Sequence, residues 1–165
     1  MSGFNSRRAT QDLLRKFENF KKNKKSMERF ARYTERNIKA DTRSGVSYTG
    51  EKFPSLKAST IKWRKYYSKF NKKGVGFSPS KANATFMGDF INGIKVKFTG
   101  YYIEITVKGN HRRIKKKKGY IKGSNAKLWG IHLNLKRLGY KILGASKKSK
   151  RTVRIEFERY LRRVR

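Results

Sequence analysis

The sequence predicts an α+β fold: a long N-terminal helix and a C-terminal helix with a small, mostly antiparallel β-sheet, connected by long basic loops. Three stretches of the 165-residue chain carry that expectation. Residues 9–40 place apolar side chains at alternating three- and four-residue steps, the spacing of one helix face. Residues 94–107 switch to a period of two, the spacing of a strand with one wet face. Residues 149–164 return to helical spacing.

In the first stretch the stripe is Leu13, Phe17, Phe20, Met27, Ala31 and Ile38, with Lys24 and Thr34 filling its two gaps. This reads as one amphipathic helix packed on a sheet, with a coiled coil or a membrane-surface helix as the alternatives. Glu18, Glu28 and Glu35 are placed to pair with neighbouring Lys and Arg. Residues 1–8 precede it as a flexible arm. Residues 41–52 form a loop, because Asp41, Ser44, Gly45, Ser47 and Gly50 supply turn chemistry. After Pro54, Ser59 and Thr60 cap a short helix reaching Tyr67, with Trp63, Tyr66, Tyr67 and Phe70 on its aromatic side. Residues 71–83, with Gly74, Gly76 and Pro79, are loop again, and residues 84–92 a second short helix.

Ile94, Val96 and Phe98 alternate with Lys95 and Lys97, Gly100 marks a turn, and Ile103, Ile105 and Val107 alternate with Glu104 and Thr106. That is a β-hairpin. Residues 109–123 form a basic loop. Leu128, Trp129, Ile131 and Leu133 follow in a short helix or an irregular segment, and residues 140–143 are expected as a short strand rejoining the sheet. Val153, Phe157, Tyr160, Leu161 and Val164 form the stripe of the last helix. No repeat and no second domain stand out, so residues 1–165 are expected as a single domain.

Charge limits the partners. Lys and Arg total 45 against 10 Asp and Glu, a net charge of +35, which repels itself strongly. Three anionic partners would relieve it: nucleic acid, whose phosphates exchange counterions for Lys and Arg, an acidic protein ring, or an anionic membrane. An AT-rich genome also enriches lysine. Apolar residues are only 36% of the chain, so the core rests on the 13% of aromatics, which bury large areas each. There is no cysteine, which excludes disulfides and thiolate zinc sites. No run of about 18 apolar residues suggests a membrane span. The first eight residues lack the apolar region of a secretory signal, and Asp12 and Glu18 argue against a transit peptide.

No catalytic, cofactor-binding or metal-ligating set emerges. His111 and His132 have no Cys or second His at ligand spacing. His132, inside Gly130-Ile131-His132-Leu133, reads as a packed structural histidine. Gly74-Val75-Gly76 lacks the Gly-Lys-Ser/Thr ending of a phosphate-binding loop. The basic loop is the candidate contact for DNA or an acidic partner, through Arg112, Arg113, Lys115, Lys116, Lys117 and Lys118, with Tyr120 able to stack on a base. Equally, it is a solvated loop that orders only on assembly.

Three segments, in order, resemble the bacteriophage virion-morphogenesis and tail-completion family. The first holds Gly50, Phe53 with Pro54, Leu56 and Thr60, followed by Lys62 and Arg64. The second holds Gly88 and Ile94, with Met87 where the family has Thr, Phe90 where it has Leu and Gly93 where it has Ser. The third holds Gly130-Ile131-His132, then Ile142-Leu143-Gly144 and a final helix. The family's Gly-Gly after the histidine, and its Pro-Arg before the Leu-Gly, are absent. The resemblance spans about residues 10–164 and implies helices packed on one face of a small antiparallel sheet. It implies a non-enzymatic virion protein, made in the host cytoplasm. Its place would be a homo-oligomeric ring at the neck or at the head-proximal end of the tail. Portal and tail proteins are its implied neighbours, with packaged DNA in the lumen and no membrane. The alternative is a nucleic-acid-binding protein of ribosomal or DNA-compacting type.

Overall fold

A computed structural model describes residues 3–83, 86–100, 102–122 and 126–164. Among these, six helices and two strands occur: α1 (Gly3–Lys22), α2 (Lys24–Ser44), α3 (Ala58–Tyr67), α4 (Asp89–Gly93), β1 (Ile94–Phe98), β2 (Ile103–Val107), α5 (Leu128–Arg137) and α6 (Lys147–Arg163). The α+β class is as expected. Helix α2 is its axis, with β1 packed along it, α6 beside it, and α1 touching both α2 and α6.

The long first helix is two helices. Asn23 leaves helical geometry at ψ 94°, and its side-chain oxygen accepts the Ser26 N–H at 3.0 Å, so it caps α2. Asn offers a local acceptor that competes with the helix. Lys21, Lys22, Lys24 and Lys25 crowd like charges around the joint. The break lets the end of α1 meet α6. Phe17 meets Phe157 edge-on at 5.1 Å, and Phe20, almost fully buried, lies against Phe157 and Tyr160. Helix α1 also begins earlier than expected, so residues 3–8, read as an arm, are helical. Leu13 and Leu14 remain exposed on it.

Helix α2 runs past residue 40 to Ser44, so the following loop is shorter than expected. Gly45 and Val46 close it, donating to the Thr42 and Asp41 carbonyls. Helix α3 starts at Ala58 behind Lys57, which makes no side-chain cap; Ser59 and Thr60 lie inside its first turn. The helix expected over 84–92 begins only at Asp89, because Gly88 has φ +81°, a left-handed conformation no helix interior tolerates. Residues 84 and 85 lie outside the described residues.

The hairpin forms as expected, in a register that sets Ile94 opposite Val107 and Phe98 opposite Ile103. Ile94, Val96 and Val107 point into the core with Ala31, Ile38, Phe53, Phe90, Leu128, Tyr140 and Ile142. Residues 140–143 are not a third strand. Tyr140 and Ile142 do point inward, but the Ile142 N–H turns back to the Tyr140 carbonyl at 3.1 Å, and Tyr48 donates a backbone bond to the Lys141 carbonyl. Residues 128–137 are a helix, α5, which rests on α4 and β2. Helix α6 is capped by Ser146, whose hydroxyl accepts the Ser149 N–H.

Two carboxylates lock α2 to its neighbours. Glu156 of α6, buried, accepts from Arg29 at 3.1 Å and from Arg159 at 2.7 Å. Glu35 accepts the Lys39 ammonium at 2.6 Å and the Val96 N–H at 3.0 Å, so it covers a donor on the free edge of β1. Burial works to raise Glu35, but the Lys39 and Val96 hydrogen bonds, with the Lys39 and Lys95 charges, hold it below its ordinary 4.5. A depressed carboxylate stabilises the fold above its unfolded value, and that stability is lost as pH falls through the folded value. Glu35→Gln should therefore cost about 1–2 kcal/mol in urea unfolding at pH 7. The gap to the unaltered protein should close as the pH is lowered below 4.5.

Candidate basic cleft and the residues around it

The segment 109–123, expected as an open loop, is a narrow antiparallel ribbon where it is described; residue 123 lies outside. At its base Leu128 donates to Gly109, and His111 to Ala126, each at 2.9 Å. Further out Ile121 donates to Ile114 at 2.9 Å, and Lys116 to Gly119 at 3.1 Å, around a turn made of Lys116, Lys117, Lys118 and Gly119. Ile114 is buried and anchors the ribbon, while Arg113 and Lys115 to Lys118 are exposed.

Two side chains fasten the ribbon to the body. Asp89, at the start of α4, accepts the Arg112 Nε–H at 2.6 Å and the Arg112 backbone N–H at 3.0 Å. Arg112 also donates from Nη2 to the Met87 carbonyl. Asn71 pairs with Lys115 as one strand residue would with another, accepting its N–H and donating to its carbonyl, both at 2.9 Å, while its amide also reaches the Tyr67 carbonyl at 2.8 Å. Arg112, expected as a contact residue, thus holds the site together. Arg113 and the lysines keep their charge outward.

This fastening makes a cleft. Its wider part, about 410 Å³, lies between Phe70, Asn71 and Lys72 on one wall and Arg113, Lys115 and Tyr120 on the other. A second part, about 250 Å³, continues past Lys73 and Gly74 to Arg43 and Asn92, sharing Lys72, Met87 and Arg112 with the first. Lys72 and Lys73 were not singled out from the sequence. A signal was present: between Lys52 and Gly88 there is no acidic residue, and aromatics recur there beside lysines.

Several of the residues that carry the resemblance lie on the neighbouring side. Phe53 is buried against Tyr140, ring centres 5.0 Å apart. Leu56 and Thr60 line an apolar groove of about 220 Å³ together with Gly88 and Phe90. Phe90 stacks on His132 at 6.4 Å, and His132 also packs on Trp129. Burial, and then the Lys136 charge, push His132 below its ordinary 6.5, which favours the neutral ring. Gly144 lies against Tyr48, whose ring a Cβ would strike at 2.5 Å. Gly50 sits apart in an exposed turn, donating to the Ser47 carbonyl.

Under that groove Arg64 is buried without a carboxylate partner among the described residues. It donates to the Lys81 carbonyl at 2.7 Å and to Asn83 at 3.3 Å, and lies over the Phe77 ring at 5.1 Å. Burial pushes its pKa down, yet a guanidinium stays charged at neutral pH. Asn83 in turn donates to the Arg43 and Gly76 carbonyls, so this clasp ties residues 76–83 to α2 and α3.

No protein-family model, curated protein or solved structure matches the chain. Among the described residues no three of His, Cys, Asp and Glu come together as metal ligands, and no helix is long and apolar enough to cross a membrane.

The Asn71 clamp decides whether the cleft exists in solution. Asn71→Ala should leave the fold intact within about 1 kcal/mol. Hydrogen exchange at the Lys115 amide should rise about tenfold or more, as the ribbon opens locally. Unchanged protection at Lys115 would show that the clamp does not hold the wall.

Proposed function

We propose that this chain is a structural protein of a tailed-phage virion, one copy of a ring at the head–tail junction or at the head-proximal end of the tail. The observation that carries the reading is the convergence of the three motif segments. Phe53 and Phe90 share the core, Leu56, Thr60, Gly88 and Phe90 line one groove, and His132 stacks on Phe90, although these residues are spread over about eighty residues of chain; Gly50 and Gly144 lie outside this neighbourhood.

The distribution of exposed apolar groups supports ring assembly. Leu13 and Leu14 lie on α1, which packs chiefly on α2 and α6. Trp129, Leu133 and Leu138 lie on and just beyond α5, which rests on α4 and β2. Two unlike patches on separate parts of one chain suit a heterologous interface, which closes into a ring by rotation. The chain contributes contacts rather than chemistry in this reading, with portal and tail proteins as neighbours and packaged DNA inside. The alternative, a ribosomal-type or DNA-compacting protein, shares the basic cleft but has no use for the two apolar patches.

Deleting the coding sequence from the phage genome that carries it tests the proposal. Electron micrographs of the lysate should show heads and tails that fail to join, or heads that have lost their DNA, and infectivity should fall by orders of magnitude and return on complementation. Normal yields of joined, infectious particles from the deletion would contradict it.

A further inference from the structure

The ring reading leaves the aromatic side of α3 without a use. From Trp63 the rings form a ladder across the surface. Trp63 lies 4.8 Å from Tyr67, Tyr67 meets Tyr66 edge-on at 5.0 Å, and Tyr66 meets Phe70 at 5.5 Å. Phe70 then opens into the wide part of the cleft, opposite Tyr120. Trp63, Tyr66 and Tyr120 are 38%, 47% and 49% exposed, high for rings that could have been buried in so apolar-poor a chain.

Cations run beside the ladder. Lys62, Lys65, Lys69, Lys72 and Lys73 are all exposed along it, and Arg113 and Lys115 face Lys72 across the cleft. Acidic residues are missing from both walls of the wide part: none occurs between Lys52 and Gly88, and none between Ile105 and Ile155. Asp89, at the margin, is covered by Arg112. Because Asn71 binds the Lys115 backbone, Lys72 and Lys115 are held near each other rather than placed by chance on a positive surface.

We propose that this cleft and ladder bind single-stranded nucleic acid, with phosphates on Lys72, Arg113 and Lys115 and unpaired bases stacked on Tyr120 and Tyr66. Exposed ring faces flanked by cations are the usual platform for unpaired bases. A duplex hides its base faces in its own stack, so it would use the lysines and leave the rings idle. The site lies within one chain, and its test is separate from that of the ring.

The test uses the full, nuclease-treated chain and a labelled oligothymidylate of about eight nucleotides, a length suited to a short single-strand site. Affinity is measured by fluorescence anisotropy across a salt series. Tyr120→Ala and, separately, Tyr66→Ala should each weaken binding by about five- to tenfold or more with the salt slope unchanged. Lys72→Gln with Lys115→Gln should weaken binding and flatten the slope by about 1.4. Lys147→Gln with Lys150→Gln, on the exposed start of α6, removes the same charge elsewhere and should change affinity by less than about twofold. A duplex of equal length should bind without regard to either tyrosine. The proposal is overturned if the α6 pair weakens binding as much as the cleft pair, since the attraction is then diffuse. It is equally overturned if both tyrosine variants bind as the unaltered chain does, or if they weaken the duplex as much as the single strand.

Discussion

Ten carboxylates have to hold together a chain with forty-five cationic side chains, and their placement organises the rest of the structure. Those that matter lie where elements meet. Glu156 joins α6 to α2 through Arg29, Glu35 joins α2 to the edge of β1, Asp41 reaches Lys148 at the start of α6, and Asp89 fastens the 109–122 ribbon. Their contributions differ with exposure. Glu156 and Asp89 are well shielded, whereas pairs such as Asp12 with Arg15 and Arg154 with Glu158 lie in water within one helix turn or so and add only tenths of a kcal/mol. Helix α2 carries two acids of the joining kind and makes most of the contacts with other elements, so it serves as the axis.

Placing the acids at joints leaves whole surfaces without them. The wide part of the cleft is one such surface, and the apolar residues are distributed just as sparingly. Phe20, Phe157 and Tyr160 make a small separate cluster at the α1–α6 contact, while the main core draws one or two residues each from α2, α4, β1, β2, α5 and the segments around Phe53 and Tyr140. The aromatics of α3 stay outside both. A fold this poor in apolar residues would gain from burying them, so their exposure beside lysines fits a surface kept for binding.

The hairpin was legible because alternation at Ile94, Val96, Ile103, Ile105 and Val107 satisfies only one period. The break at Asn23 left a trace as well: the stripe of the first helix fails at Lys24, one residue on, and a capping residue beside a gap reads as a joint. Tyr140 and Ile142 misled because alternation reports which way side chains point, and an irregular segment can point two of them inward without a strand partner. The ties of the 109–122 ribbon to Asp89 and Asn71 are pairings across 23 and 44 residues, which no local pattern encodes. Lys115 to Lys118 were visible as a charge run. Lys72 and Lys73 lie in an acid-free, aromatic-rich stretch, but only the ribbon folding back beside them makes them one wall of a cleft.

The central claim is that this chain acts as one copy of a closed ring on a virion. Sedimentation of the nuclease-treated protein in high salt tests it most directly, alone and then with heads purified from a strain lacking the gene, each followed by electron microscopy. The expected result is closed rings, free or seated on those heads, with a mass that is a whole multiple of 19.4 kDa. A chain that stays monomeric in both conditions and leaves the heads bare would contradict it.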